Sequence, residues 1–278
     1  MFKNFITSTS IQGNNYIPRQ KLGEGRNSAV YKSYHINDAD QKNPLAIKFP
    51  TLCATSAQRT KLIEQQAHIL QELTCPYTPQ YIDHSTHNIN PYLVLEYIPQ
   101  TLSDKVDNNT ITQTLLLEYL QQIPLILSYF EHKNKVPGDL KCANLGYKDH
   151  YLKVLDVESI QPPGQYTKPK ETLSSHPPEF RDQGLITPTF DEYTAGKNIE
   201  YLLTGENNEN AQETFQTIEL YHDIVLPESF QQLYLAMTHP NHTQRATPSQ
   251  IQALALICSE ELQQKEYFKT ESFSTLEL

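Results

Sequence analysis

The sequence predicts an α+β protein with two lobes, in which a small β-rich lobe precedes a larger, mainly helical lobe. Two observations predict this division. Short β-favouring segments fill most of the first hundred residues, and helical periodicity prevails from about residue 101 onward. The chain of 278 residues, 38% of them hydrophobic, is long enough to build a core in each lobe. We therefore expect the first lobe at 1–99, the second at 100–268 and a polar tail at 269–278.

The first lobe contains several predicted strands and one predicted helix, separated by Asn- and Pro-containing turn clusters. The strands are YIPRQKLG, AVYKSYHI, LAIKFP, QYIDHSTH and PYLVLEYI, and the helix is SAQRTKLIEQQAHILQEL. The helix is expected to be amphipathic, because Leu62, Ile69, Leu70 and Leu73 fall on one face.

Helical periodicity in the second lobe runs through four long segments. They are TITQTLLLEYLQQIPLILSYFEH, FDEYTAGKNIEYLLTG, ESFQQLYLAMTH and TPSQIQALALICSEELQQ. The stretch VPGDLKCANLGYKDHYLKVLDVES, which reads as a loop followed by a hairpin, lies between the first two. A mainly helical lobe is expected to form around these segments.

Charge and apolar pattern exclude several functions. A net charge of −10 argues against general nucleic-acid binding, because no basic excess can release phosphate counterions, and it favours a basic partner. No apolar stretch is long enough to span a bilayer, and the N-terminus MFKNFITSTSIQGNN lacks the apolar core of a signal peptide. The four cysteines are scattered without a Cys-x-x-Cys pair, which favours a reducing compartment over disulfides or structural zinc.

A glycine-bearing turn in RQKLGEGRNSAVYKSY is the first candidate for a binding site. Gly23 and Gly25 would permit close approach of a bound phosphate, although an ordinary hairpin turn is the favoured explanation of this loop taken alone. Side chains alternate along a strand, so the strand LAIK places Ala46 and Lys48 on the same face. A glycine turn followed by an Ala-x-Lys strand is the arrangement with which protein kinases hold ATP phosphates.

The chain resembles eukaryotic-type (Hanks-type) Ser/Thr protein kinases from about Tyr16 to about Gln264, on the motif Asp-Leu-Lys-x-x-Asn, the hairpin and the second Asp that follow. The resemblance implies that Asp139 orients the substrate hydroxyl and accepts its proton, and that Lys141 neutralises charge on the γ-phosphoryl group. It implies further that Asn144 and Asp156 bind Mg²⁺, which prefers oxygen ligands.

The same resemblance assigns the nucleotide contacts of the first lobe. Lys48, with Gly23 and Gly25, would hold the phosphates of ATP in the cleft between the lobes. In the segment LVLEYI, Leu95 would be the gatekeeper beside the adenine ring. The adenine contacts would be the Glu96 carbonyl and the Ile98 amide, under an apolar roof of Val30 and Ala46.

Three further motifs follow in the family's order and imply structural roles. Pro178 and Glu179 in TLSSHPPEF resemble the Ala-Pro-Glu segment, with Arg245 as the expected ion-pair partner of Glu179. Asp191 and Gly196 resemble positions of a buried helix, from which Asp191 would hold the catalytic-loop backbone. Loss of any of these charges is expected to leave a buried charge unpaired.

The chain departs from the family pattern in the helix before the hinge. Gln66 stands where a glutamate normally pairs with the strand lysine, here Lys48. Glu64 is two residues earlier, about 200° around the helix, and is expected to point elsewhere. An amide can donate to or accept from its neighbours but cannot offset the lysine charge, so we expect weaker positioning of the phosphates.

Other departures lie around the catalytic loop. Pro137 and Gly138 replace the usual His-Arg, which indicates that phosphorylation within 157–176 is not required for activation. Glu158 replaces the glycine of Asp-Phe-Gly, so a mobile flip of that segment is not expected. Gly146 replaces the large apolar residue that floors the adenine, which predicts altered nucleotide affinity.

Three interpretations remain from the sequence. The favoured one is in-line phosphoryl transfer from ATP, with Mg²⁺, to serine or threonine of a protein substrate; Thr172, seven residues before Glu179, favours Ser/Thr acceptors. The substitutions support a second interpretation, a pseudokinase that acts as a nucleotide-binding or scaffolding module. Gly138-Asp139 is similar to the His-Gly-Asp loop of aminoglycoside and choline kinases, which supports a third interpretation, a small-molecule kinase. Composition favours a bacterial kinase or secreted effector, cytoplasmic or delivered into a host cell, and leaves the oligomeric state open.

Overall fold

The computed structural model describes residues 15–25, 27–51, 55–86, 90–108, 111–167, 175–205 and 227–264. The chain divides into two compact units, Met1–Ile98 and Pro99–Leu278. A five-stranded sheet dominates the first unit, and helices dominate the second. The predicted α+β class, with a β-rich first lobe and a helical second lobe, is therefore confirmed. The segment predicted as a polar tail lies outside the described residues.

The first unit is built on an antiparallel sheet in the order β1-β2-β3-β5-β4. Its strands are β1 (Tyr16–Glu24), β2 (Ser28–His35), β3 (Leu45–Pro50), β4 (Tyr81–Ser85) and β5 (Tyr92–Glu96). Each predicted strand segment overlaps one of these strands and differs from it by at most a few residues at either end. The central strand, β3, carries Lys48 and is paired on both edges.

The two faces of this sheet differ in chemistry. One face carries an apolar cluster of Ile47, Tyr92 and Val94. Directly paired residues of antiparallel strands point to the same face. Lys48 pairs with Leu93, which is fully buried, so Lys48 lies on the face opposite the cluster.

The helix α1 (Ser56–Glu72) begins at a capping box formed by Thr55 and Gln58. Its buried stripe recurs with helical spacing and consists of Ile63, Gln66, Ala67 and Leu70. Two of the four residues predicted for this face, Leu70 and Leu73, are buried, whereas Leu62 and Ile69 are only partly buried. The prediction counted large apolar residues, whereas α1 buries a small alanine and a polar glutamine on its inner face.

The second unit combines helices with a small three-stranded sheet in the order β6-β7-β8. The strands are β6 (Gln100–Thr101), β7 (Leu145–Lys148) and β8 (Tyr151–Val154). The helices are α2 (Leu102–Asp107), α3 (Gln113–His132), α4 (Pro178–Gln183), α5 (Phe190–Thr204), α6 (Glu228–Met237) and α7 (Pro248–Gln264). The four predicted helical segments correspond to α3, α5, α6 and α7. Along the described part of the chain, no helix combines the length and apolar character needed to cross a bilayer.

The centre of the second unit is α5, whose residues 190–200 are all buried. Tyr119 on α3 donates a hydrogen bond to the Ala195 carbonyl at 2.7 Å. Gly196 lies against α6: a Cβ there would be 2.6 Å from Thr238 Cγ2 and 3.0 Å from Met237 Cβ. A side chain at this position would push α5 and α6 apart.

Candidate active site

The catalytic loop predicted from the sequence, residues 137–144, lies between α3 and β7 and is anchored at its start. Val136 exchanges backbone hydrogen bonds with Gln161 at 2.7 and 3.0 Å. Gly138 has a φ of +76°, and an added Cβ would lie 2.9 Å from the Ser159 carbonyl oxygen. The loop therefore requires glycine at 138 for both conformation and space. This explains in physical terms why the usual arginine cannot occupy that position here.

Asp139, Lys141 and Asn144 form one hydrogen-bonded group, the Asp139 cluster. Lys141 Nζ lies 2.9 Å from Asp139 Oδ2. Asn144 Nδ2 donates to the same Oδ2 at 2.8 Å and to the Asp139 carbonyl oxygen at 2.9 Å. Two predicted catalytic residues and one predicted magnesium ligand are thus in direct contact, and the carboxylate orientation is fixed through Oδ2.

Helix α5 holds the catalytic loop from below through two polar side chains. Asp191 Oδ2 accepts a hydrogen bond from the Gly138 backbone N–H at 2.9 Å, which confirms the role predicted for Asp191. Asn198 donates to the Leu140 carbonyl at 2.6 Å and accepts from the Cys142 N–H at 3.0 Å. Sequence reasoning missed Asn198, although its spacing of seven residues from Asp191 places both on one helix face.

The electrostatics of this anchor are dominated by burial. Burial raises the pKa of Asp191 to about 7; the Gly138 N–H opposes the shift and the charge of Asp139 adds to it. Burial likewise raises the pKa of the adjacent Glu192 to about 8. Both acids lie in α5, so the protonation state of the helix that supports the predicted catalytic loop is expected to change with pH near neutrality.

The predicted magnesium ligands lie at the same end of the β7–β8 hairpin. Leu145 pairs with Val154, so Asn144 and Asp156 fall just outside the ends of the two strands. The Leu155 N–H donates to the Asn144 carbonyl at 2.8 Å and ties the two segments together. Because Asn144 Nδ2 is engaged by Asp139, its amide oxygen is left to face away from that carboxylate.

The Asp156 carboxylate is oriented by the turn that follows it. Its Oδ1 accepts from the Glu158 N–H at 3.3 Å, and its Oδ2 accepts from Ser159 Oγ at 2.9 Å. Val157, which replaces the family phenylalanine, is buried. These contacts hold Asp156 in a short 3₁₀ turn, consistent with the expectation that this segment does not flip.

His176 also faces the Asp139 cluster, and sequence reasoning did not single it out. Its Nε2 lies 3.8 Å from Asp139 Oδ1, and its side chain is buried. The signal available in the sequence was its place three residues before Glu179, in the segment that resembles Ala-Pro-Glu. Only the proline and the glutamate of that segment were interpreted. The second carboxylate oxygen of Asp139 thus has a polar neighbour from outside the catalytic loop.

The predicted pair of Glu179 and Arg245 is confirmed. Arg245 Nη1 and Nη2 donate to the two carboxylate oxygens of Glu179 at 2.9 and 3.1 Å. Arg245 also donates to the backbone carbonyl of Thr189, at 2.7 Å. Burial raises the pKa of Glu179, but hydrogen bonds and charge from Arg245 outweigh it and hold that pKa below its ordinary value.

In the first unit, the predicted nucleotide-contacting residues fall on one sheet face. Val30 pairs with Lys48 across β2 and β3, and Ala46 pairs with Leu95 across β3 and β5. Ala46, Lys48 and Leu95 are all buried. The cation, the predicted roof and the predicted gatekeeper therefore share this face.

Gln66, which stands on α1 in place of the family glutamate, lies in the interior of the first unit. Gln66 is 1% exposed, and neither Oε1 nor Nε2 of its amide has a hydrogen-bond partner among the described residues. Glu64 is exposed, as its position on the helix predicts. The structure therefore does not show a hydrogen bond between the Gln66 amide and Lys48.

The glycine turn joins β1 and β2. The Gly25 N–H donates to the Ser28 carbonyl at 2.8 Å. A Cβ at Gly23 would have none of the described atoms within 4 Å, and one at Gly25 would be 3.9 Å from Ser28 O. Neither packing within the described chain nor a positive φ accounts for glycine at these two positions.

The predicted adenine contacts lie at the end of β5. Glu96 is held to the residue before β4: its N–H donates to the Gln80 carbonyl at 2.9 Å, and its side chain accepts from the Gln80 N–H at 3.2 Å. Ile98 is the last residue of the first unit and is partly buried. Thr172, on which Ser/Thr specificity was predicted, lies outside the described residues.

A β-rich unit, a helical unit and an Asp-x-Lys-x-x-Asn cluster ahead of a hairpin define a protein kinase domain. Residues 16–257 match the family described as protein kinase domain, and the chain belongs to that family. A curated relative is the serine/threonine-protein kinase ATG1 of Kluyveromyces marxianus, 24% identical over 160 residues. The match covers 47% of this chain and 18% of the relative, so the chain spans about a fifth of that protein's length.

Proposed function

We propose that this protein transfers the γ-phosphoryl group of ATP, in line and with Mg²⁺, to serine or threonine hydroxyls of a protein substrate. The observation that carries the proposal is the Asp139 cluster, in which a carboxylate is fixed by Lys141 and Asn144 at 2.9 and 2.8 Å. A positioned carboxylate can accept a hydroxyl proton, and a neighbouring cation can offset charge on phosphate oxygens. Phosphoryl transfer depends chiefly on such positioning and neutralisation.

In the proposed reaction, Asp139 orients the substrate hydroxyl and receives its proton. The hydroxyl oxygen forms a bond to the γ-phosphorus, the bond from that phosphorus to the β,γ-bridging oxygen breaks, and ADP leaves. Lys141 stands 2.9 Å from Asp139, where its charge also offsets that of the transferred group. Asp191 and Asn198 keep the loop backbone in place during the reaction.

Asn144 and Asp156 have the oxygen donors that suit Mg²⁺. This ion is commonly held by one or two protein oxygen ligands together with substrate phosphates and water, so two ligands are sufficient. The Asn144 amide is oriented by its hydrogen bonds to Asp139, and the Asp156 carboxylate by those from Glu158 and Ser159. Bound Mg²⁺ would neutralise charge on the β- and γ-phosphates.

The first unit supplies the remaining proposed contacts to ATP. Glycine at 23 and 25 permits the close approach of phosphate to backbone, a reason for glycine that packing among the described residues does not supply. Lys48 is proposed to hold the phosphates. The proposed adenine contacts are Val30, Ala46, the Glu96 carbonyl and the Ile98 amide.

Specificity for serine or threonine is supported by the similarity to a serine/threonine-protein kinase. Lys141, which protein kinases carry two residues after the catalytic aspartate, supports a protein rather than a small-molecule acceptor. The proposed acceptor is therefore a protein, and the net charge of −10 favours a basic one. We further propose that residues 1–99 form the first kinase lobe and residues 100–268 the second. We also propose that the protein is bacterial and acts in the cytoplasm or after delivery into a host cell.

A second candidate is a nucleotide-binding module without catalysis, and one observation favours it. The buried Gln66 amide offers no charge to the face that carries Lys48 and has no hydrogen-bond partner among the described residues. Weak phosphate positioning would lower the rate of transfer. Against this candidate stands the Asp139 cluster, in which two side chains hold Asp139 Oδ2, an arrangement that nucleotide binding alone does not require.

The test is transfer from γ-labelled ATP in Mg²⁺ buffer to a generic basic protein, with identification of the phosphorylated amino acid. Asp156→Asn is expected to abolish transfer, because an amide loses the charge that holds Mg²⁺. Asp149→Asn is the matched control: it makes the same change on the exposed turn of the same hairpin and should be as active as the wild type. Label on neither serine nor threonine of the acceptor would reject the proposal, and nucleotide binding without transfer would favour the second candidate.

A further inference from the structure

The second unit holds a histidine where the proposed reaction needs a hydroxyl to be placed. His176 packs its ring against Phe180 and Phe190, with centroid distances of 5.0 and 6.0 Å. Those two rings are in edge contact at 5.3 Å and belong to an apolar cluster with Val136 and Ile186. The imidazole is therefore wedged into a rigid apolar surface and has little freedom to turn.

The two carboxylate oxygens of Asp139 have different neighbours. Oδ2 is engaged by Lys141 and by Asn144 at hydrogen-bond distance. Oδ1 faces His176 Nε2 at 3.8 Å, which is longer than a hydrogen bond. Oδ1 is therefore the oxygen with the capacity to accept a substrate proton, and His176 stands beside it.

The other ring nitrogen of His176 indicates which proton the imidazole carries. Nδ1 is buried and has no hydrogen-bond partner among the described residues. A buried N–H without an acceptor is costly, so the neutral ring is expected to carry its proton on Nε2. An N–H donor is then directed toward the space next to Asp139 Oδ1.

We propose that His176 positions the acceptor hydroxyl for transfer, with its Nε2–H donating to the hydroxyl oxygen while Asp139 Oδ1 accepts the hydroxyl proton. The inference rests on the proposed kinase function and adds a residue to its acceptor site. A hydroxyl can accept one hydrogen bond and donate another, which matches a donor and an acceptor side by side. His176 neither gains nor loses a proton in the reaction, because the hydroxyl proton passes to Asp139.

A dependence on pH follows from the neighbours of His176. They are Asp139 and Lys141 on the catalytic loop and Arg181 on α4. Burial lowers the pKa of His176 below its ordinary value; the charge of Asp139 opposes this shift, and those of Lys141 and Arg181 add to it. The ring is then neutral at neutral pH. In acid it becomes a cation, pairs with Asp139 Oδ1 and competes with the hydroxyl for that oxygen.

The test separates the donor of His176 from its shape. His176→Phe keeps a ring in the apolar pocket without a donor, and His176→Gln restores an N–H. We expect His176→Phe to raise the KM for the protein acceptor by about tenfold, the value of one hydrogen bond, with the KM for ATP unchanged. His176→Gln is expected to recover most of the loss and to shift the acid limb of the kcat/KM profile to lower pH. His132→Gln, an exposed histidine of α3, is the control and should leave every parameter at the wild-type value.

A second measurement does not depend on activity or on the folding of His176→Phe. The pKa of His176 is followed by NMR in the wild type and in Asp139→Asn, with the resonance assigned by its absence in His176→Gln. We expect a lower pKa in Asp139→Asn, because the carboxylate that raises it has been removed. An unchanged pKa, or an active wild type whose acceptor KM is the same in His176→Phe, would overturn this inference alone. A wild type without transfer would overturn the kinase function as well.

Discussion

The Asp139 side chain of the second unit and the Gln66 side chain of the first unit differ in how far they are hydrogen-bonded. Asp139 is held by two side chains, and its loop is tied to α5 through Asp191 and Asn198. On α1, by contrast, the Gln66 amide is buried and lacks a partner among the described residues. The comparison teaches that the predicted catalytic carboxylate is held in place by hydrogen bonds, whereas the side chain that replaces the family glutamate is held by none from the described residues.

The state of the Gln66 amide affects the stability of the first unit. A buried polar group without a hydrogen bond costs about 1–3 kcal/mol, so Gln66 destabilises the first unit in its described state. A preorganised site, on the other hand, avoids reorganisation at the moment of reaction. Substitutions of side chains that support the second unit are therefore expected to cost stability or activity, whereas replacement of the Gln66 amide is expected to stabilise the first unit.

The largest expected effect concerns the ion pair that supports the second unit. Glu179→Gln leaves the fully buried Arg245 guanidinium without its carboxylate and should lower the free energy of unfolding by about 3–5 kcal/mol. Chemical denaturation measures this loss. Asp40→Asn breaks the exposed pair with Lys42 and should change stability by only about 0–1 kcal/mol. Equal losses in the two variants would contradict the structural role assigned to Glu179.

Two glycines, one in each unit, test the difference between packing and ligand approach. Gly196→Ala should destabilise the protein by about 1–3 kcal/mol, because its Cβ would be 2.6 Å from Thr238 Cγ2. Gly23→Ala meets none of the described atoms within 4 Å and should leave the melting temperature unchanged while it raises the KM for ATP. A Gly23→Ala variant with wild-type ATP kinetics would remove Gly23 from the nucleotide site.

Gln66 is expected to respond in two ways. Gln66→Met replaces the unsatisfied amide by an apolar side chain of similar length and should stabilise the fold by about 1–2 kcal/mol. Gln66→Glu should raise the rate of transfer, since a carboxylate can offset the charge of Lys48. Denaturation curves and initial rates measure the two effects. A destabilised Gln66→Met would mean that the amide is satisfied in solution, and a slower Gln66→Glu would mean that Lys48 is positioned by other groups.

Substitution of Asp191 is expected to change how stability depends on pH. The pKa of Asp191 is raised to about 7 in the folded protein, above the ordinary value of 3.8. The folded state therefore binds the proton more tightly, and this contribution to stability, present at low pH, is lost as pH rises toward 7. Asp191→Asn should flatten this part of the profile of melting temperature against pH. The exposed Asp182→Asn is the control, and identical profiles for the Asp191 variant and the wild type would contradict the burial argument.

Much of the fold and of the Asp139 cluster could be predicted because it depends on local sequence. Strand β3 and the motif around Asp139 follow from alternation and from fixed spacing. The short helices α2 and α4, six residues each, escaped prediction because they span less than two turns. His176 and Asn198 were missed for another reason: helical spacing places Asn198 on the face of Asp191, but neither that spacing nor the segment around His176 says which loop the side chain contacts. The sequence likewise could not show that the Gln66 amide is buried without a hydrogen-bond partner among the described residues.

The most direct measurement is the rate of phosphoryl transfer to a basic protein at saturating Mg-ATP, by the wild type and by Asp139→Asn, with nucleotide affinity measured for both. Asn at 139 retains the size of the side chain and loses the base. The account predicts transfer by the wild type, a reduction in turnover of about 10²- to 10⁴-fold in Asp139→Asn, and similar affinity for ATP. Turnover by Asp139→Asn equal to that of the wild type would contradict it, as would a wild type that binds ATP and transfers nothing.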